Sequence, residues 1–433
     1  MRVIDKVLRT IVDRIVKINS NPSGMPPLRE AGAQLSPKLP ETSKESIQGD
    51  ILFLSPDLWD VNRWARKQML AYLLQVYFNK VFYSVDYRHS GMTRPVLNRV
   101  AESMYVYNQG VRINRWNPVA EETASRNLLG RIKGLKLRPK AIMAYQFHNY
   151  VQAKKVVEEL GQGCKIFYDL TDDWTFFPGF SEEKRQKRFF EEEMAIKGSD
   201  KVFSVSKRLY GWAKKLNINS VLLPNATDFE LMKTTQEDGP IANELKGLKS
   251  PIIGYTGRIT PWRLDWGLLE RIADMEEKPT VVMIGEVHPG SVSLRDKLIM
   301  KENVKFLGPK EYCKLPTFYR SLDVCILPHS TDTQTASMDP IKLYDYMGTG
   351  RPIVATAVEE AKKFSDVLRL ANSHDDFLAL LRETWRDKNH DPRPQMETAR
   401  QNSWIRRTEQ LASHIALTIG DSTIKSDYDG KTS

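Results

Sequence analysis

Short apolar runs alternate with amphipathic stretches along most of the chain. ILFLS (51–55), VFYSVD (81–86), AIMAYQF (141–147), KIFYDL (165–170), KVFSVS (201–206) and VLLPN (221–225) read as buried strands, with helical segments between most of them. A second series follows in IIGYTG (252–257), TVVMIGE (280–286), VKFLG (304–308), VCILP (324–328) and PIVAT (352–356). Strands that alternate with helices predict parallel sheets, because a parallel crossover needs a connection long enough to hold a helix. Between the two series, residues 228–250 lose the strand pattern and carry Gly239-Pro240, which predicts a domain junction there. The expected α/β domains are 50–235 and 236–417. Within the second, residues 378–417 read as two helices split by HDPRP (390–394), and residues 418–433 as a polar, disordered tail.

Residues 1–18 follow another pattern. Val3, Ile4, Val7, Leu8, Ile11, Val12, Ile15 and Val16 share one helical face, and Arg2, Lys6, Arg9, Arg14 and Lys17 dominate the other. A basic amphipathic helix of this kind suits an anionic membrane surface; packing on the protein itself or on a partner subunit is the alternative. Residues 19–49 are rich in Pro, Ser, Gly and charge and predict a flexible linker.

Length and composition narrow the class. At 433 residues the chain exceeds what one compact core holds. No apolar run approaches the roughly 20 residues of a membrane helix, and the charged N-terminus shows no secretory pattern. Cys164, Cys313 and Cys325 are scattered without a CxxC pair, which argues against a structural zinc site or a disulfide framework and fits a reducing cytoplasm. The net charge of +10 favours anionic partners. Zinc-finger spacing, RNP-type aromatic strands and dense Lys/Arg runs are absent, so nucleic acid is not an expected partner.

The most informative stretch is 318–356, FYRSLDVCILPHSTDTQTASMDPIKLYDYMGTGRPIVAT, which parses as helix, strand, polar loop, helix, Gly turn and strand. That order puts the loop and a helix N-terminus at the carboxyl end of a parallel sheet, where open α/β folds bind ligands. Asp339 fits the N-cap and Pro340 the first turn. Lys342 and Asp345 share a face. Lys342 is expected to neutralise a diphosphate while Asp345 accepts hydrogen bonds from ribose hydroxyls; an ordinary surface pair is the alternative. After the strand at 252–255, Gly257-Arg258 lets the backbone approach a phosphate and adds a fixed positive fork, or else Arg258 serves a surface ion pair. Asp169, Asp172 and Asp173 crowd one strand end ahead of Trp174, Phe176 and Phe177. Close carboxylates raise one another's pKa and suit acid/base work, or else act as turn acids. No His stands beside them, which argues against a metal site there. Trp59 and Asp60 follow the first strand and Arg66 opens the next helix, although Asp60 also fits a helix N-cap.

These motifs resemble GT-B-fold glycosyltransferases of the group 1, family 4-like type. D-Y-M-G-T-G-R-P (345–352) occupies the frame of that family's E-A-x-A-x-G-x-P, so Asp345 matches its ribose-binding acid. The first acid of the family's E-x7-E pattern falls on Ser337, with Asp339 or Asp332 as substitutes. The string P-x-K-L-Y-D-Y-M-x-x-G-x-P-I-V-A-T is most similar to members of the teichuronic-acid-biosynthesis type, where the first Glu is also commonly missing. Gly257-Arg258 matches a phosphate-binding G-R element whose usual Lys has no clear counterpart, Arg263 lying near. Y-D-x-x-D-D-W (168–174) has a counterpart in the family's cleft. His148 corresponds to a His that contacts the donor hexose in many retaining members. KVFSVSKRLYGWAKKLNINSVLLPNATD (201–228) and ARQNSWIRRTEQL (399–411) also match, the latter as a helix returning to the first domain.

The resemblance implies a GT-B fold: two doubly wound, Rossmann-like domains facing across a cleft. It implies transfer of a hexose-type sugar from a nucleotide-diphosphate-sugar to a glycan or lipid-linked acceptor, with retention and with no metal or other cofactor. The setting would be polysaccharide or glycoconjugate synthesis in the cytoplasm, with residues 1–18 as a peripheral contact to the inner membrane face. The expected catalytic set is His148, Asp172 and Asp173. The expected donor-binding set is Gly257, Arg258, Ser337, Asp339, Lys342, Leu343 and Asp345. Trp59, Asp60, Arg66 and Trp174 form the expected acceptor or cleft set. A GT-B-fold sugar-nucleotide epimerase and a catalytically degenerate nucleotide- or glycan-binding scaffold are the alternatives.

Overall fold

A computed structural model describes residues 37, 39, 46–60, 64–86, 94–110, 118–161, 163–176, 179–331, 335–422 and 424. The expected helix at 1–18, nearly all of the expected linker and most of the tail lie outside the described residues, as does Asp332. Among the described residues no helix is long and apolar enough to cross a membrane.

The first domain holds an eight-stranded sheet in the order β3-β4-β2-β1-β5-β6-β7-β8. Its strands are β1 (Ile47–Ser55), β2 (Phe78–Val85), β3 (Val96–Ala101), β4 (Met104–Asn108), β5 (Pro139–Ala144), β6 (Lys165–Leu170), β7 (Lys201–Ser204) and β8 (Ser220–Leu222). Every neighbouring pair is parallel except β3 with β4. The second domain holds a six-stranded parallel sheet in the order β11-β10-β9-β12-β13-β14. Its strands are β9 (Ile252–Thr256), β10 (Thr280–Ile284), β11 (Val304–Gly308), β12 (Val324–Leu327), β13 (Ile353–Thr356) and β14 (Arg369–Ala371). Runs such as 51–54 of β1 and 281–284 of β10 are continuously apolar because helices cover both faces of a parallel sheet. The architecture is α/β and doubly wound in both domains, as the alternating pattern predicts.

Three strands lack a counterpart in the sequence reading. β3 is half-exposed at the sheet edge, and Asn98-Arg99 interrupt its apolar run. β4 completes a hairpin with it, and β14 spans three residues. Edge and short strands carry little of the apolar continuity that marks central ones. The C-terminal region forms three helices rather than two, His374–Arg386, Arg393–Gln401 and Trp404–Ile419. The additional break comes at Ser403, whose hydroxyl accepts from Arg406 N at 3.4 Å and caps the last helix.

Strand order reverses between β1 and β5 and between β9 and β12, the switch points where connections leave the sheet in opposite directions and open a crevice. The domains are tied at the base of the gap between them. The helix Trp404–Ile419 lies against Arg66–Leu73, and Trp404 N donates to Thr227 O at 2.9 Å. Arg66 is buried and donates to both carboxylate oxygens of Asp169 at 2.8 Å, with a further bond to Pro224 O at 3.1 Å. Asn225 then donates from its backbone N to Asp339 Oδ2 at 2.6 Å and from its side chain to Asp339 O at 2.7 Å.

Candidate active site

The second domain's switch point assembles the positive part of the site. Residues after β9 fold back over the exit of β12: Leu264 and His329 form an antiparallel bridge, Asp265 N donates to Pro328 O at 2.9 Å, and Ser330 N donates to Arg263 O at 2.9 Å. Arg263 and His329 thereby stand together. The helix Ile341–Thr349 brings Lys342, in its first turn, to the same place. These three line a pocket of about 230 Å³ between the domains, opposite Asp57, Lys67 and Asp172 of the first domain.

The electrostatics of the three are coupled. Burial, then the Arg263 guanidinium, pushes the Lys342 ammonium down to about 7, although part of the residue stays accessible. Its Nζ sits 5.4 Å from the centre of the Tyr255 ring. Burial, then Lys342 and Arg263, holds His329 well below its ordinary value, so the imidazole is neutral. His329 is 1% exposed, and neither ring nitrogen has a partner among the described residues. Arg263 Nε lacks one as well. Buried donors without acceptors are costly unless a ligand satisfies them. Gly257 makes room for the arrangement: its φ is +135°, and a Cβ there would come within 2.5 Å of Lys342 Cε.

The helix start differs from the expected cap. Pro340 occupies the N-cap and supplies no side-chain bond, and the first helical residue is Ile341. Asp339 is turned away, because its carboxylate accepts from Asn225 N at 2.6 Å, from Tyr344 OH at 2.9 Å and from Lys363 Nζ at 2.9 Å. That orientation removes the repulsion a carboxylate at this position would exert on an anion. The helix N-terminus, without a side-chain cap, opens into the pocket through Pro340, Ile341 and Lys342.

Other expected donor residues divide. Asp345 is buried outside the pocket lining, where its Oδ1 accepts from Thr227 Oγ1 at 2.6 Å and from Tyr312 OH at 2.9 Å. Burial, opposed by these two bonds, pushes its carboxyl up to about 7. Ser337 is buried in the turn Thr335–Ser337. Leu343 is fully buried in the hydrophobic core and has no surface to offer a donor, which corrects its inclusion. Arg258 is also corrected. Its side chain is 58% exposed, with Nε at 3.8 Å from Glu286, and it does not line the pocket. Arg263, noted in the sequence only as lying near, lines the pocket instead.

In the first domain only part of the expected set converges. Asp172 lines the pocket; burial raises its carboxyl, against the pull of Arg263 and then Lys67. Asp173 points elsewhere and ties a turn, its Oδ1 accepting from Thr175 N at 3.1 Å and from Thr175 Oγ1 at 2.5 Å. His148 is buried, pairs with Asp86 and does not line the pocket. Trp59 packs edge-on against Trp64 at 5.6 Å and Tyr83 at 5.0 Å, within an aromatic cluster. Asp60 and Trp174 are half-buried and absent from the lining. Arg66 reaches the pocket wall, but its guanidinium is committed to Asp169 and Pro224. Sequence reasoning missed His329, Asp57 and Lys67. His329 had a signal, since it directly follows the Pro that ends a buried strand. Lys67 had none before its bond of 2.7 Å to Asp57 was visible.

The chain is similar to known proteins over part of its sequence and in its fold. Residues 250–383 match the family described as Glycosyl transferases group 1. TuaH of Bacillus subtilis (strain 168), named as a teichuronic acid biosynthesis glycosyltransferase, is 24% identical over 160 residues, 37% of this chain and 38% of that protein. The match thus spans less than half of this relative's length. Similar solved structures include Anabaena Alr3699/HepE in complex with UDP and glucose, with a TM-score of 0.64 and 15% identity over 85% of this chain and 100% of that one. Sucrose-phosphate synthase from Thermosynechococcus elongatus has a TM-score of 0.60 at 14% identity, over 86% of this chain and 97% of that one. The E. coli trehalose-6-phosphate structure bound with UDP-2-fluoro glucose has a TM-score of 0.62 at 12% identity, over 84% of this chain and 98% of that one. The two facing domains have the GT-B fold, and within the second of them residues 250–383 match the model of the group 1 glycosyl transferases.

Proposed function

We propose that the protein transfers a hexose-type sugar from a nucleotide-diphosphate-sugar to a glycan or lipid-linked acceptor. The observation that carries this is the convergence of Lys342, Arg263, the neutral His329 and an uncapped helix start on one interdomain pocket. A diphosphate seated there meets positive charge and N–H donors already in position, so the charge that develops as it leaves needs little reorganisation around it. UDP and a UDP-sugar analogue bound to structural neighbours support a nucleotide-sugar donor. The name of TuaH supports a role in cell-surface polysaccharide synthesis.

In this mechanism the acceptor oxygen bonds to the anomeric carbon on the same face from which the diphosphate oxygen departs, and the electron pair of the broken bond leaves with the diphosphate. Asp172, raised by burial and facing the same pocket, receives the hydroxyl proton. Lys342 and Arg263 supply the charge that stabilises the leaving group. Retention at the anomeric carbon, independence of a metal ion and a cytoplasmic setting with peripheral attachment through residues 1–18 belong to the same proposal. Incubation with a panel of UDP-, ADP- and GDP-sugars and oligosaccharide acceptors, followed by mass spectrometry, is expected to show nucleoside diphosphate release together with a lengthened glycan. An isomerised nucleotide-sugar without release would instead indicate an epimerase. Return of every nucleotide-sugar unchanged would contradict the proposed activity.

A further inference from the structure

The turn at 171–176 faces two cavities. Asp172 lines the interdomain pocket, and Asp173 lines a groove of about 480 Å³ between the helices Glu182–Gly198 and Lys207–Leu216. Adjacent Cα atoms are only about 3.8 Å apart, so one stretch of backbone separates the two spaces.

The groove has a built chemistry. Phe189 stacks on Trp212 with ring centres 5.4 Å apart and planes 18° from parallel. Phe189 and Phe176 are 47% and 37% exposed, a large aromatic surface to leave in water. The Arg185 and Arg208 guanidiniums stand 6.0 Å and 5.9 Å from the Phe176 ring centre, and neither has a carboxylate partner among the described residues. The Trp212 Nε1–H is buried and lacks an acceptor among the described residues. Two acids also line the groove: Asp173, whose Oδ1 accepts from Thr175 Oγ1, and Glu182, whose Oε1 accepts from Gln186 Nε2 at 3.3 Å. Flat aromatic rings suit the C–H faces of a pyranose, and planar guanidinium forks suit a carboxylate or phosphate. A neutral sugar would leave both arginines without an anion.

We propose that this groove binds an anionic saccharide, one bearing a carboxylate or a phosphate, as the acceptor. The inference rests on the transferase function proposed above. The saccharide lies across Phe189 and Trp212 with its charge on Arg185 and Arg208, and its reacting hydroxyl passes the 171–176 turn toward Asp172.

Calorimetric titration of the full chain with trigalacturonic acid, glucose 6-phosphate and maltotriose tests this, with vesicles of anionic phosphatidylglycerol as a separate arm. The expected result is that at least one anionic saccharide binds about tenfold or more tighter than maltotriose, a difference of about 1.4 kcal/mol. The Arg185→Ala/Arg208→Ala variant is expected to abolish that preference, and Trp212→Phe to weaken binding in part. Both are expected to keep the thermal shift given by whichever of UDP, ADP and GDP stabilises the wild type. Equal or absent saccharide binding with an intact nucleotide shift overturns the groove assignment and leaves the transferase function standing. Vesicle binding that needs the two arginines, without saccharide binding, also overturns it. Absence of any nucleotide shift in the wild type overturns both.

Discussion

Replacing Lys342 with Met is expected to lower sugar transfer by about 10²–10³-fold, the range for removing a preorganised charge from a developing anion, while raising thermal stability at pH 6. The two effects have one cause. Burial and the neighbouring Arg263 bring the ammonium down from 10.5 to about 7, so the free protein holds a positive charge where it is poorly solvated. Between pH 7 and 10.5 the unfolded chain binds more protons at this residue than the folded one, so stability rises with pH across that window. Below pH 7 the destabilisation is present in full. Met keeps most of the stem volume and removes the charge, so its gain in melting temperature is expected to be largest at pH 6 and smaller at pH 9. A folded variant with unchanged turnover, or one that melts lower than wild type at pH 6, would count against the role assigned to Lys342.

Arg66→Met is expected to destabilise the protein by about 3–5 kcal/mol, the usual consequence of removing one partner of a buried ion pair. Arg66 and Asp169 are 3% and 1% exposed, and the pair is bidentate. Without the guanidinium, Asp169 is left as a buried carboxylate, and Pro224 O loses its donor at the base of the gap between the domains. Arg66→Met/Asp169→Leu is expected to recover most of the loss, because neither charge then remains uncompensated. Urea denaturation followed by probes in each domain measures this without assuming a single transition. A loss below about 1 kcal/mol, the level of an exposed pair, would show that Arg66 does not brace the structure. Turnover by Arg66→Met at a temperature where it stays folded separates a brace from an acceptor ligand.

How much was legible in the sequence follows the physics of each element. The central strands were readable because both faces are buried and their apolar runs are continuous. β3 was not, since Asn98-Arg99 lie on an exposed edge. Lys342 was readable because a polar loop, a Pro and a Lys follow a buried strand. Leu343 entered only as part of the matched string, and its neighbouring position on the helix turns it into the core. That Arg263 rather than Arg258 lines the pocket could not be read from sequence, since a backbone bridge between Leu264 and His329, distant in the chain, sets where Arg263 stands. Asp172 and Asp173 are indistinguishable as letters, yet the turn between them sends one carboxylate into the pocket and the other to Thr175.

The positive cradle around Lys342 is most directly tested by calorimetric titration of nucleoside diphosphates at pH 8 in two buffers of different ionisation enthalpy. At that pH the terminal phosphate, with a pKa of about 6, is already ionised, whereas most of Lys342 is neutral. Binding is expected to draw the ammonium back to its charged form, with an uptake approaching one proton per diphosphate and an affinity that falls as pH rises above 7. Both the uptake and most of the affinity are expected to disappear in Lys342→Met. No diphosphate binding, or equal binding by the two proteins without proton uptake, would contradict a pyrophosphate site at Lys342.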